Sequence, residues 1–301
     1  MSTRIELLKS RDFGEIITDT FVFARQNLKP LITCFFIFCG FFTLASIFAS
    51  AVQQSKMVNE VNNTFDSANL KNPLFPRTDP FSFFGIEYLV SILFLFLNYI
   101  AISVTVLSFM CLYREKGNNA PTLTEVWGYI KYFFLKILGS SVLLFLLLTI
   151  ATALCIVPGI YLYPIFGLIF PIMIFENTSF GYAFNKSFKL IKDNWWLTFG
   201  CIVVMGIIVY FALMIVVLPS TILNMSNLFL HPGKGMHLST TLTMITTVLQ
   251  HLCQVLYILP LITISLCYFN LSEVREGTGL MGRISQIGNV KPEDNFPAEE
   301  Y

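Results

Sequence analysis

The chain has 301 residues, of which 55% are hydrophobic and only 12% are charged. Because a soluble domain carries roughly 25% charged residues, this composition excludes a large water-soluble catalytic domain and indicates an integral membrane protein. The 19 basic and 18 acidic side chains nearly balance, so the chain lacks the excess positive charge that favours nucleic acid as a partner.

Six apolar stretches predict an all-α integral membrane fold with six transmembrane helices. About 20 apolar residues in a helix cross the hydrocarbon core of a bilayer, and none of these stretches contains Asp, Glu, Lys or Arg. The predicted spans are residues 31–52, 88–112, 137–157, 159–175, 195–218 and 239–270. Residues 53–80 are predicted to form a polar outer loop, and residues 271–301 a cytoplasmic tail with a disordered end.

The distribution of basic residues predicts the orientation. Only Lys56, Lys71, Arg77 and Lys234 lie in the segments on the side opposite the amino terminus. Since cytoplasmic segments retain Lys and Arg, we expect both termini in the cytoplasm. About 30 residues precede the first span, which is long for the basic head of a signal peptide, so we expect that span to be uncleaved.

An internal repeat is visible before the spans. Residues 12–29 and 179–193 share apolar residues at helical spacing, and an offset of 167 residues also aligns Asn27 of the first copy with Asn194, which directly follows the second. A more degenerate third copy covers residues 122–136. The pattern predicts three parallel units, each an interfacial amphipathic helix followed by a transmembrane hairpin.

The polar faces of these three helices are mixed, with several basic residues in addition to Asp19. Near an anionic leaflet each Lys or Arg contributes on the order of 1 kcal/mol, so anionic lipid head groups on the cytoplasmic side are the predicted partners. The helices either seat the bundle at the interface or recruit lipids and membrane protein partners. The candidate basic residues are Arg25, Lys29, Lys131, Lys136, Lys186, Lys189 and Lys192.

Gln250, His251 and Gln254 form a candidate polar face within the sixth span. Polar groups at this depth either link helices by hydrogen bonds or form a ligand or permeation site. An intramembrane serine hydrolase would pair Ser141 with His251, but the two are expected at different depths. Without metal-site spacing, a His-Glu-x-x-His motif or a phosphate loop, we expect no enzyme, metal or cofactor.

The fourth span is rich in helix-breaking residues, Pro158, Gly159, Pro164 and Pro171. Interrupted helices can expose backbone groups to a substrate. The alternative function is therefore a transporter or channel for a small uncharged or amphipathic solute. The same residues could instead shape a short hairpin.

Four segments carry a family resemblance. They are FGEII at residues 13–17, PGIYL at residues 158–162, AFNKS at residues 183–187 and YFNL at residues 268–271. With these segments the chain resembles bacterial polytopic proteins related to the membrane domain of glycerophosphoryl diester phosphodiesterases. Catalysis in that family belongs to a barrel of about 200 residues or more, which residues 271–301 cannot form, so no catalytic residue carries over. The resemblance implies a bacterial inner-membrane protein acting as a lipid-associated scaffold or as a subunit beside other proteins.

Overall fold

The computed structural model describes residues 5–67, 85–154, 156–230 and 238–277. Over these residues the chain is helical and contains no β-strand. The helices are α1 (Phe13–Gln26), α2 (Leu28–Cys34), a π-helix (Phe35–Cys39), α3 (Gly40–Ser67), α4 (Ile86–Glu115), α5 (Leu123–Leu154), α6 (Ile156–Gly167), α7 (Ile169–Phe175), α8 (Phe180–Ile191), α9 (Trp195–Leu230), α10 (Thr240–Leu252), a 3₁₀-helix (Cys253–Tyr257) and α11 (Ile258–Glu276).

Six helical stretches of the described chain are long and apolar enough to cross a membrane, which confirms the all-α prediction with six spans. They are Leu28–Asn63, Ile86–Glu115, Leu123–Leu154, Ile156–Phe175, Trp195–Ser226 and Thr240–Glu276. Successive spans run in opposite directions. We call the side that carries α1, α8 and the end of α11 the α1 side, and the opposite side the far side.

The core is densest on the α1 side. Residues 100–113 of α4 and residues 261–272 of α11 are buried around the whole helix. Both segments are uncharged and mainly apolar, with small hydroxyl side chains among the apolar ones, and a helix without a charged face belongs in the interior. Helix α11 packs against α1, α4, α7, α8 and α9, so it is the central helix of this core.

The first helix of each of the three predicted repeat units shows the same pattern of burial. Helices α1, α5 and α8 begin at Phe13, Leu123 and Phe180, the same place in each aligned segment. Their buried residues recur at i, i+4 and i+7, which is one face of a helix. These residues are Ile16, Thr20 and Phe23 in α1, Val126, Ile130 and Phe133 in α5, and Ala183, Ser187 and Leu190 in α8.

The prediction of a separate interfacial helix over residues 122–136 is wrong, because α5 continues from Leu123 to Leu154 without a break. In the first copy of the repeat the helix ends at the equivalent residue, Asn27, whose side chain donates a hydrogen bond to the Phe23 carbonyl at 3.1 Å. In the second copy the helix also ends before α9 begins. Asparagine competes with the helical backbone for hydrogen bonds. The equivalent residue in α5 is Ile137, which cannot compete, so the helix continues.

Two further boundaries differ from the predictions. Helix α3 continues through the first part of the predicted loop over residues 53–80, as far as Ser67. This end of α3 packs near α10, because Val58 is buried and the Asn62 side-chain amide forms hydrogen bonds with both backbone groups of Leu238. The predicted tail over residues 271–301 also starts later, because α11 continues to Glu276. The rest of the loop and the tail beyond Gly277 lie outside the described residues.

The sixth span is not continuous. The 3₁₀-helix separates α10 from α11 within the predicted span. Pro260 lies in the first turn of α11, and its ring nitrogen has no hydrogen to donate to the Leu256 carbonyl. The break in regular α-helix therefore has a local cause.

Candidate functional site

Three buried polar side chains, joined by hydrogen bonds, link spans one, two and six. Thr43 Oγ1 donates to Asn98 Oδ1 at 3.1 Å, and Asn98 Nδ2 donates to Gln254 Oε1 at 2.5 Å. All three residues are buried. A buried polar group without a partner is unfavourable in an apolar environment, so this chain of bonds allows the amides to lie inside the bundle.

His251 lies on the same face, one turn before Gln254. Its Nδ1 lies 2.8 Å from the Thr247 carbonyl, which can only accept, so Nδ1 carries a proton. Its Nε2 is buried and has no hydrogen-bond partner among the described residues.

Gln250, predicted to belong to this face, is exposed instead. Gln250 and His251 are consecutive residues of α10, so their side chains point about 100° apart on a helix of 3.6 residues per turn. His251 and Gln254, three positions apart, are buried, and Gln250 lies outside that face.

The Pro158–Gly159 pair does not mark the turn between spans three and four. Helix α6 begins at Ile156, so Pro158 lies in its first turn, where the missing N–H removes no helical bond. Gly159 is buried, and a Cβ at this position would overlap the Thr152 side chain of α5. These residues close the α5–α6 hairpin.

The fourth span does break, at Leu168 between α6 and α7. Pro171 cannot donate to the Gly167 carbonyl, and the Leu168 N–H turns back to the Ile165 carbonyl at 3.2 Å. Pro164 is buried inside α6. The break is therefore buried in the bundle, where the backbone can find partners inside the protein.

A cavity of about 230 Å³ adjoins this break. Gly167, Pro171 and Ser141 line it among mostly apolar side chains. The Ser141 hydroxyl donates to the Leu138 carbonyl of its own helix at 2.8 Å, just as His251 bonds within α10. The two residues of the candidate hydrolase pair are therefore each bonded to their own helix.

A larger crevice, of about 730 Å³, lies between the π-helix, α3, α4 and α5. Two stacked ring pairs cross it: Phe38 with Trp127, with centroids 5.5 Å apart, and Phe42 with Phe134, at 5.7 Å. The ammonium of Lys131 lies 5.0 Å from the Trp127 centroid. No motif in the sequence predicted this crevice. A signal for it was the spacing of its aromatic residues, which places each pair on one face of a helix: Phe38 and Phe42 are four positions apart, and Trp127 and Phe134 are seven positions apart.

Most of the predicted basic residues are accessible. Those that are exposed are Arg25, Lys29, Lys131, Lys189 and Lys192. Lys136 is half-buried, with its ammonium 5.6 Å from the Phe133 ring.

Lys186 is an exception to the predicted basic face. It lies between two carboxylates, 3.0 Å from Glu176 and 2.7 Å from Glu276. Burial lowers its pKa, but the hydrogen bonds to Glu276 and Glu176 outweigh burial, and the net pKa lies above the ordinary lysine value. Lys186 therefore joins α8 to the ends of the fourth and sixth spans instead of facing lipid.

Other polar contacts also stabilise the α1 side. The backbone N–H of the buried Arg11 donates to Asn270 Oδ1 at 2.8 Å, and its side chain pairs with Asp19 at 2.7 Å. Arg275 pairs with Asp193 at 2.7 Å. These contacts hold the segment before α1 and the end of α8 against α11.

The six spans and the basic first helices define a polytopic α-helical membrane protein. In the described part of the chain, no group of three or more His, Cys, Asp or Glu side chains could hold a metal ion. No protein-family model, curated protein or solved structure matches this chain.

Proposed function

We propose that this chain is a non-catalytic bacterial inner-membrane protein with both termini in the cytoplasm. It acts as a lipid-associated scaffold or as a subunit of a membrane complex. Its three units are copies of one repeat. Helices α1 and α8 and the first turns of α5 lie at the cytoplasmic interface, where they bind anionic head groups and contact membrane protein partners.

The observation that carries this proposal is the exposure of basic residues in helices whose other face is buried. In α8, Lys189 is exposed while Ala183, Ser187 and Leu190 are buried. In α1, Arg25 is exposed while Phe23 is buried. A helix with one buried face and basic groups on the other suits an anionic membrane surface.

Native mass spectrometry of the protein, gently extracted from its own membrane, tests this function. We expect bound anionic phospholipids, a stoichiometric partner protein, or both. The variant with Arg25, Lys29, Lys189 and Lys192 all changed to Gln should retain fewer anionic lipids. Lys56→Gln, on the far side, is the control and should retain as many as the parent. A chain that carries neither lipid nor partner would contradict the proposal.

A transporter or channel is the second candidate, favoured by the buried polar face and by the cavity at the broken fourth span. Polar groups in the interior of a bundle can line a path for a solute. Gln254→Cys, in a variant with its own cysteines replaced by alanine, tests this with a membrane-impermeant thiol reagent. Labelling from either side would support a water-filled path, and a thiol sealed on both sides would exclude it.

A further inference from the structure

The crevice between the first and third spans has the size and lining of a ligand site. Its volume of about 730 Å³ lies within the range of about 300–1,000 Å³ that is typical of small-molecule sites. The lining is almost entirely aromatic and aliphatic. Phe41 and Leu135 line it and are 73% and 75% exposed, so the crevice opens to the surroundings of the spans, which in a bilayer are lipid.

Two of the three polar side chains that line the crevice come from one end of α5, and the third, Thr105 of α4, has its hydroxyl 3.5 Å from Cys39 Sγ. Thr124 and Lys131 belong to the first turns of α5, close to the α1 side, whereas Phe42 and Phe134 lie farther along the two spans. A helical side chain points back towards the amino-terminal end of its helix, and a membrane lysine extends its ammonium to the interface. The position of the Lys131 ammonium beside Trp127 agrees with both tendencies.

Lys131 is available to an anion. It is exposed, and no carboxylate in the described ranges forms an ion pair with it. Its contact with the Trp127 ring face holds the ammonium at the crevice, because a cation is attracted to the face of an indole. An apolar crevice with one cation at its rim is complementary to an amphiphile with an anionic head.

We propose that this crevice binds one anionic phospholipid, with an acyl chain along the two stacked ring pairs and the phosphate at Lys131. The proposal rests on the proposed function, since it assigns a specific site to one of the lipids that the protein retains. It involves Lys131 and the crevice, whereas the four basic residues in the test of function lie elsewhere.

Trp127 fluorescence reports on the site directly. The chain has three tryptophans, and Trp195→Phe with Trp196→Phe leaves Trp127 alone. This protein is placed in nanodiscs of phosphatidylcholine that contain increasing fractions of phosphatidylglycerol brominated in its acyl chains, or of equally brominated phosphatidylcholine. We expect phosphatidylglycerol to quench Trp127 at an about fivefold lower mole fraction, the preference that one interfacial lysine provides.

Variants of the lysine then test its role. Lys131→Gln should remove the preference between the two lipids, whereas Lys131→Arg should keep it. Lys9→Gln is the control: Lys9 is also a cation on the α1 side, but it pairs with Glu15 at 3.1 Å and does not line the crevice, so the preference should remain. Unchanged far-ultraviolet circular dichroism in bromine-free nanodiscs checks that each variant is folded, because removing the ammonium beside Trp127 could by itself shift the emission of that residue.

Equal quenching by the two lipids in the parent, or a preference that survives Lys131→Gln, would overturn the inference. Quenching by neither lipid would also overturn it, since acyl chains would then be kept out of the crevice by a second copy or by another protein. In each case native mass spectrometry remains a separate readout. Lipid adducts that persist would preserve the proposed function while excluding this site.

Discussion

The two sides of the bundle are held together in different ways. Towards the α1 side, fully buried apolar residues of α4, α7 and α11 pack on one another. Towards the far side, side-chain amides join the helices: Asn98 with Gln254, and Asn62 with the backbone of Leu238. Because lipid is as apolar as leucine, helices in a membrane associate through close packing and hydrogen bonds instead of a hydrophobic driving force. The α1 side combines a dense apolar core with polar contacts at its edge, such as those of Lys186 and Arg11, whereas amide hydrogen bonds join the helices of the far side.

The largest expected effect is on the packed side. Phe23 of α1 is fully buried, and its ring meets those of Phe109 and Tyr113 edge to face at 6.5 and 5.0 Å. Phe23→Ala should lower the free energy of unfolding by about 3–5 kcal/mol, because it leaves a cavity. Denaturant titration in mixed micelles measures this value.

Phe21→Ala is the matched control, because Phe21 lies on the same helix but is 41% exposed. We expect a much smaller loss for it. Equal losses for the two variants would mean that α1 is not docked through its buried face, and the contrast between the two sides would fail.

A smaller effect is expected on the amide side. Asn98→Ala removes the donor to Gln254 and the acceptor for Thr43. Hydrogen bonds between membrane helices contribute about 0.6 kcal/mol on average and up to about 1.7 kcal/mol, so we expect a loss of about 1 kcal/mol.

A double-mutant cycle isolates the contribution of the pair. Asn98→Ala, Gln254→Ala and the combined variant should give a coupling energy of about 0.6–1.7 kcal/mol. Additive losses would show that the two amides do not depend on each other, and that the far side is also held mainly by packing.

The sequence predicted local features well. Uncharged apolar stretches predicted the six spans, and helical spacing placed α1 and α8 within residues 12–29 and 179–193. It failed where a single residue decides between alternatives. Ile137 in place of an asparagine keeps α5 continuous, and Pro260 disrupts the sixth span.

The candidate sites were less predictable, because their partners are distant in the sequence. Asn98 and Gln254 are separated by 156 positions, and no local pattern pairs them. Lys186 resembled its exposed neighbours until Glu176 and Glu276 were brought to it by the ends of two spans. The crevice likewise depends on the position of the first span beside the third, which periodicity within either helix does not specify.

The smallest expected effect concerns the ionic contacts of the α1 side. The pKa of Lys186 is raised above the ordinary value of 10.5 in the folded protein: burial lowers it, but the hydrogen bonds to Glu276 and Glu176 outweigh burial. Its contribution to stability is therefore fully present below about pH 10.5 and is lost as the pH rises through the higher folded value. The stability difference between the parent and Lys186→Met, on the order of 1 kcal/mol or less for a partly exposed pair, should be constant from neutral pH to about pH 10 and shrink above it.

Lys189→Met, which removes an exposed lysine of the same helix, should show no such alkaline change. A parent that keeps its full advantage over Lys186→Met well above pH 11 would show that this lysine contributes through the packing of its aliphatic stem rather than through its charge, and would make the α1 side still more dependent on packing.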